Sequence, residues 1–173
     1  MTGDAPEKFV RAFDAHEAFE RDDEGFVVTT STFGGRVTAT ETEDWALSYT
    51  LEVRVPTLSA TTEEAVGPAV EEGWFDTFAL RLEDAPGAVR QDLSLDGFEV
   101  ERVADEVVAT FEFEWGNADH APRMTKAMAE YVEGTYVEGV VPGYQYGPPV
   151  SDLLSSARGS GGDGDGSGDP MPL

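Results

Sequence analysis

The 173-residue chain carries 35 Asp and Glu against 11 Lys and Arg, so 11 − 35 gives a formal net charge of −24, with a pI near 4.1. The length suits one domain, and 40% hydrophobic with 10% aromatic residues is too apolar for a chain disordered throughout. With so few cations, none of them clustered, there is no basic stripe to track phosphates or an anionic leaflet, so no nucleic-acid and no membrane partner is expected; zero Cys excludes disulfides, thiolate nucleophiles and cysteine metal sites.

From the start, MTGDAPEKF shows neither a basic nor an apolar stretch of a secretory signal, and no run of about 18 apolar residues follows, so a cytoplasmic address is expected. Phe9, Val10 and Phe13, then Ala15 or His16, recur at roughly the 3.6-residue period and predict a first helix over Pro6–Phe19. The acidic break Glu20–Gly25 ends it. Two β-rich runs, Phe26–Thr32 and Arg36–Thr40, are separated by Gly34-Gly35, which predicts a hairpin with a primed turn because both turn residues need positive φ.

Between Trp45 and Val55 the residues Trp45, Leu47, Tyr49, Leu51, Val53 and Val55 alternate with smaller or polar ones, which predicts a strand with one buried face, closed by Pro56. Trp45 is assigned to the core on that pattern. Thr61 and Glu64 form a capping-box pattern ahead of Ala65, Val66, Ala69 and Val70, with Gly67-Pro68 as a kink or break and Gly73 as the end of the piece. Trp74, Phe75, Phe78 and Leu82 predict a second helical piece to Asp84, although Phe78, Leu80 and Leu82 also suit a strand.

Phe98–Val103 and Val107–Trp115, joined by Ala104-Asp105-Glu106, predict a second hairpin, and Asn117 or Asp119 caps a helix carrying Met124, Met128, Tyr131, Val132 and Thr135 that frays between Gly134 and Gly139. Residues 142–158 read as an irregular extension with a short amphipathic piece at Val150–Ala157. Residues 159–173, GSGGDGDGSGDPMPL, bury nothing and are expected to be a disordered tail. The whole predicts a single α+β domain over residues 1–158: an antiparallel twisted sheet of about five strands, helices on one face, in the order α-β-β-β-α-β-β-α.

The charge itself points to solvent. Only Lys8 and Lys126 are lysines and the other nine cations are Arg, whereas heat adaptation enriches Lys. In molar salt the Debye length falls to about 3 Å, which screens carboxylate repulsion, so salt adaptation fits. An acidic mimic of DNA is the lesser alternative, because it needs one charged face and the acids occur in nearly every segment.

Sites of chemistry are few. His16-Glu17-Ala18-Phe19-Glu20 departs from the zinc-protease pattern at its second histidine, which removes the imidazole pair a metal needs. Asp163, Asp165, Ser167 and Gly168 match the first, third, fifth and sixth places of an EF-hand loop, but the bidentate Glu and both flanking helices are missing. No cofactor and no metal is expected. His120 beside Asp119, with Arg123 a turn along, is the minimal pair for acid–base work and equally an ordinary helix start. Trp74 and Phe75 behind a glycine, and Tyr136, Tyr144 and Tyr146 in Gly/Pro-rich surroundings, are candidate contacts with a protein partner, since Tyr supplies contact area at low entropy cost.

The order helix, three strands, helix, two strands, helix resembles the type III secretion chaperone-like fold, which implies protein binding and often a homodimer. The acidic, Lys-poor composition, with the segments Gly73-Trp74-Phe75 to Leu82-Glu83-Asp84 and Val141-Pro142-Gly143-Tyr144, resembles a haloarchaeal family of acidic proteins with no assigned activity. The resemblance implies a source and a fold and carries no catalytic residue. The expectation is a cytoplasmic, non-catalytic protein-binding or structural module, with a protein partner or self-association; a small-molecule site or an enzyme using His120 and Asp119 is the alternative.

Overall fold

The computed structural model describes residues 5–157. The tail expected over 159–173, with its EF-hand-like acids, lies outside the described residues. Along the chain run α1 (Glu7–Asp14), β1 (Phe19–Arg21), β2 (Phe26–Val28), β3 (Arg36–Glu41), β4 (Leu47–Pro56), α2 (Leu58–Thr61), α3 (Pro68–Leu82), β5 (Gly97–Val103), β6 (Glu106–Trp115) and α4 (Ala121–Glu138), then α5 at residues 150–157. Short 3₁₀ turns occupy Ala85–Ala88 and Ala118–His120.

The six strands form one antiparallel sheet in the order β1-β2-β3-β4-β6-β5. Its centre is the β4–β6 seam, where Leu47 faces Trp115, Tyr49 faces Phe113, Leu51 faces Phe111, Val53 faces Ala109 and Val55 faces Val107. All ten except Trp115 are buried, so the alternation read from the sequence is the row that meets the helices. Phe9 and Phe13 of α1 close over this row with Phe26 and Tyr49, the Phe9 and Phe26 rings meeting edge to face at 5.3 Å. Met124, Met128, Val132 and Tyr136 of α4, with Trp74, Phe78 and Leu82 of α3, fill the rest. The opposite face carries Ser48, Thr50, Glu52, Arg54, Thr110, Glu112 and Glu114, and among the described residues no helix lies over it.

The α+β class, antiparallel sheet and one-sided helices are therefore present, with six strands where about five are expected. The additional strand is β1. The first helix ends at Asp14 instead of Phe19, because Phe19 turns back to pair with Val28 and sets its ring against Phe13 at 4.7 Å. Phe13 and Phe19 are six positions apart, about 120° round a helix from one another, so one helix face does not present both.

The first hairpin is wider than expected. Val27 pairs with Arg36, so residues 28–35 lie beyond the last pair, with Gly34 and Gly35 both at positive φ. The helix expected to stop at Gly73 is continuous from Pro68 to Leu82, with Gly67 as N-cap and Pro68 at its first position, where a missing N–H costs nothing. Leu80 is exposed while Phe78 and Leu82 are buried, the helical solution for the ambiguous 74–84 stretch. The capping pattern at Thr61 and Glu64 is displaced: Thr57 caps α2, its side chain accepting from the Ala60 N–H at 3.3 Å. Asn117 caps the 3₁₀ turn Ala118–His120 instead of α4, accepting from the Asp119 N–H at 3.0 Å, while α4 starts after His120 with no side-chain cap and runs through Gly134 to Glu138.

Candidate binding site

Two clefts are formed by residues with some chemistry to offer. The first lies in the segment read as an irregular extension, and it is less irregular than expected. The Glu63 N–H donates to the Gln145 carbonyl at 2.9 Å and the Gly147 N–H to that of Thr61 at 2.8 Å, so Thr62 and Tyr146 form a short antiparallel bridge. The Glu64 carboxylate accepts from the Gln145 N–H at 2.9 Å. Beyond it, Val150 and Leu153 of α5 anchor that helix to the body.

Between this bridge, the end of α4 and α5 opens a groove of about 540 Å³, lined among others by Val140, Val141, Tyr144, Tyr146 and Leu154. The Tyr146 hydroxyl donates to the Val141 carbonyl, joining two of the lining residues, and burial pushes its phenol up from the ordinary value. Tyr144 and Leu154 are half-buried and Ser151 and Ser155 supply hydroxyls, so the lining is apolar and hydroxylic with no carboxylate among the lining residues. Such a lining is unusual on a chain of −24.

Of the five residues proposed from sequence as partner contacts, Tyr144 and Tyr146 line this groove. Trp74 and Tyr136 do not reach the surface: they are 5% and 0% exposed, and Trp74 stacks on Phe78 at 5.5 Å with both rings edge-on to Tyr136. Phe75 is half-buried beneath the Arg102 guanidinium, 4.6 Å from its ring centre. The Tyr136 hydroxyl donates to the Pro56 carbonyl at 3.0 Å, tying α4 to the end of β4.

His120 stands at the start of α4. The Trp115 indole N–H donates to its Nδ1 at 3.0 Å, and the Asn117 side-chain nitrogen lies 3.3 Å from its Nε2. Among the described residues no hydrogen bond or ion pair joins His120 to Asp119, and none of the ion pairs there involves Arg123. His16 sits in the turn after α1 and Glu20 in β1, so the partial zinc-protease spacing is not on a helix face. Among the described residues there is no group of three or more metal-ligating side chains, and no helix is long and apolar enough to cross a membrane.

The second cleft surrounds Trp45, which sequence alternation assigns to the core and the structure leaves 72% exposed. β4 begins at Leu47, whose partner Trp115 is the last residue of β6, so Trp45 projects past the end of the seam and lies over Gly116, where any Cβ would overlap its ring. Its loop is tied down. The Thr42 hydroxyl donates within the turn, to Asp44 at 2.8 Å or the Ala46 carbonyl at 2.7 Å, the Ala46 N–H donates to the Asp44 carboxylate at 3.2 Å, and Lys8 donates to the Trp45 carbonyl at 2.8 Å. The Thr42 and Ala46 bonds hold the Asp44 carboxyl below its ordinary range. Thr42 and Asp44, two residues apart ahead of a Trp, are the turn signal that marks this loop in the sequence.

The fold and the groove together define an α+β protein of the open antiparallel-sheet class, in which a clamped tyrosine segment and α5 frame a cleft of aliphatic side chains and hydroxyls. The chain belongs to a family of unknown function, DUF5813, whose family model matches residues 14–156. No curated protein and no solved structure matches it. The secretion-chaperone resemblance thus rests on element order alone, and that order differs by one strand and two helices.

Proposed function

We propose that this protein is a non-catalytic binding module of a salt-adapted, haloarchaeal cytoplasm, and that its 540 Å³ groove receives an apolar side chain from a partner protein. The observation that carries the reading is the groove itself: a cleft walled by Val140, Val141, Tyr144 and Leu154, built into a segment that four hydrogen bonds to 61–64 and Val141 keep in place. A preformed site of this kind loses little entropy on binding, and burying one Leu-sized side chain there contributes about 1.5–3 kcal/mol. Charge complementarity supplies the rest of the description. On a surface of −24, the partner's docking segment carries basic residues on either side of the apolar one. Salt adaptation is supported by that charge with only two lysines. The acid–base alternative lacks comparable support, since the His120 Nδ1 is occupied by the Trp115 indole.

The test is affinity capture with the full chain in molar KCl, followed by titration of the purified partner against wild type and Leu154→Asp. Leu154 is half-buried at the groove wall and packs against the edge of the core, so the variant is first shown to be folded by its circular dichroism and melting curve. The reading expects at least a tenfold loss of affinity. A partner held equally well by the folded variant overturns it, as does a second copy of this chain proving to be the only species retained.

A further inference from the structure

Independently of the tyrosine groove, we propose that the Trp45 cleft binds a small zwitterion in which a carboxylate is joined to an alkylated ammonium. The cleft has a volume of about 390 Å³ and brings together side chains from three elements: Lys8 and Arg11 of α1, Trp45 of the 42–46 turn, and Asn117 and Asp119 of the 3₁₀ turn before α4. Two of the chain's eleven cations therefore meet in one cleft, one helical turn apart, against a single carboxylate lining the same space.

Both signs of charge are needed to explain the ligand class. A net anion would be attracted by Lys8 and Arg11 but repelled by the field of the whole molecule at −24. A simple cation would be drawn by that field and opposed by the same two side chains. A zwitterion escapes both penalties, with its carboxylate at Lys8 and Arg11 and its cationic end at Asp119 and the indole. Lys8 uses one ammonium proton on the Trp45 carbonyl and keeps two for a ligand. The pair of Arg11 with Glu7, at 3.5 Å with side chains 72% and 88% exposed, is weak enough to be exchanged for a ligand carboxylate.

The indole selects the ammonium. An aromatic face attracts a cation without offering it an acceptor for N–H, which suits an alkylated ammonium better than a primary one. Trp45 is already held for this task. Its backbone is pinned by Lys8 and the Thr42–Ala46 turn, and its ring rests on Gly116, so stacking a ligand on it orders little that is not ordered beforehand.

The experiment follows the Trp45 indole N–H resonance of the full chain in molar KCl during titration with glycine betaine. Two probes of matching shape serve as comparison: 3,3-dimethylbutanoate, which replaces the nitrogen by carbon and keeps the carboxylate, and choline, which keeps the ammonium and lacks the carboxylate. The expected result is a saturable shift with betaine, binding at least tenfold weaker for each of the other two, and loss of the betaine response in Lys8→Gln/Arg11→Gln. The indole signals of Trp74 and Trp115 report that the variant is folded. No betaine shift, equal binding of either comparison probe, or an unchanged response in the folded double variant would each overturn the proposal.

Discussion

Two tyrosines deep in the core illustrate how differently one hydroxyl group can be treated. Tyr49 and Tyr136 are both 0% exposed, yet the Tyr136 hydroxyl donates to the Pro56 carbonyl at 3.0 Å while that of Tyr49 has no partner among the described residues. Burying an unpaired hydroxyl costs roughly 1–3 kcal/mol, and losing one half of a buried bond costs a similar amount. Tyr49→Phe is therefore expected to leave stability unchanged or raise it by about 1 kcal/mol, and Tyr136→Phe to lower it by about 1–2 kcal/mol, measured by urea unfolding. The reverse ranking would refute this account. Burial, and then the charge of Asp119, pushes the Tyr49 phenol up to about 12; burial raises Tyr136 too. Since these folded-state values lie above the ordinary 10.0, the contribution is complete below that pH and is lost as pH rises through the folded values. Stability should fall between about pH 10 and pH 12, less steeply in Tyr49→Phe.

The long helices contain glycines with no structural requirement for them. Gly73 in α3 and Gly134 in α4 face open space, with nothing within 4 Å of the place a methyl group would take, and neither has positive φ. Gly73→Ala and Gly134→Ala should each stabilise by roughly 0.5–1 kcal/mol and add when combined, because the helix interior favours Ala and the unfolded chain loses freedom. Gly25→Ala is the contrast: a Cβ there would run into the Val37 carbonyl, so it should destabilise in the same urea assay. Gly73 also shows how legibility fails. It interrupts a pattern that is otherwise one helix, and the sequence reading divides α3 there because glycine is so often a terminator. The ten-residue strands β4 and β6 were legible because period-two alternation accumulates over their length, and β5 as the apolar run joined to β6 by a short connection. β1 was not, since three residues with only Phe19 buried carry no period. Of the candidate site, Tyr144 and Tyr146 were legible from composition. Their groove partner Leu154 and the exposed Trp45 were not, because the first depends on how α5 docks and the second on where a register ends.

Across the whole molecule, the acids are arranged to limit their mutual cost. On the uncovered face of the sheet Glu52 and Glu99 each flank Thr110, Glu112 lies opposite Thr50, and Glu114 lies opposite Ser48, so no glutamate directly faces another across these strands. Six ion pairs form among the described residues, all with substantially exposed side chains, and exposed pairs contribute little. The balance of 35 acids against 11 bases leaves long-range repulsion that only counterions relieve. The melting temperature should rise steadily from about 0.1 M to molar KCl as the Debye length shrinks from about 10 Å to about 3 Å. A melting temperature independent of KCl in a calorimetric scan would refute salt adaptation.

The outer strand β5 gives this arrangement one more meaning. It is the last strand of the sheet, seven residues long, and its outer backbone edge has no partner strand among the described residues. Two copies meeting edge to edge with greatest overlap would pair antiparallel about Val100, placing Glu99 of each directly against Glu101 of the other. The opposition of like charges that the folded sheet avoids internally would thus be created twice at such a junction, and it guards an open edge against growth into a fibre. That guard is electrostatic, so its strength should decline over the same rise in KCl that is expected to raise the melting temperature.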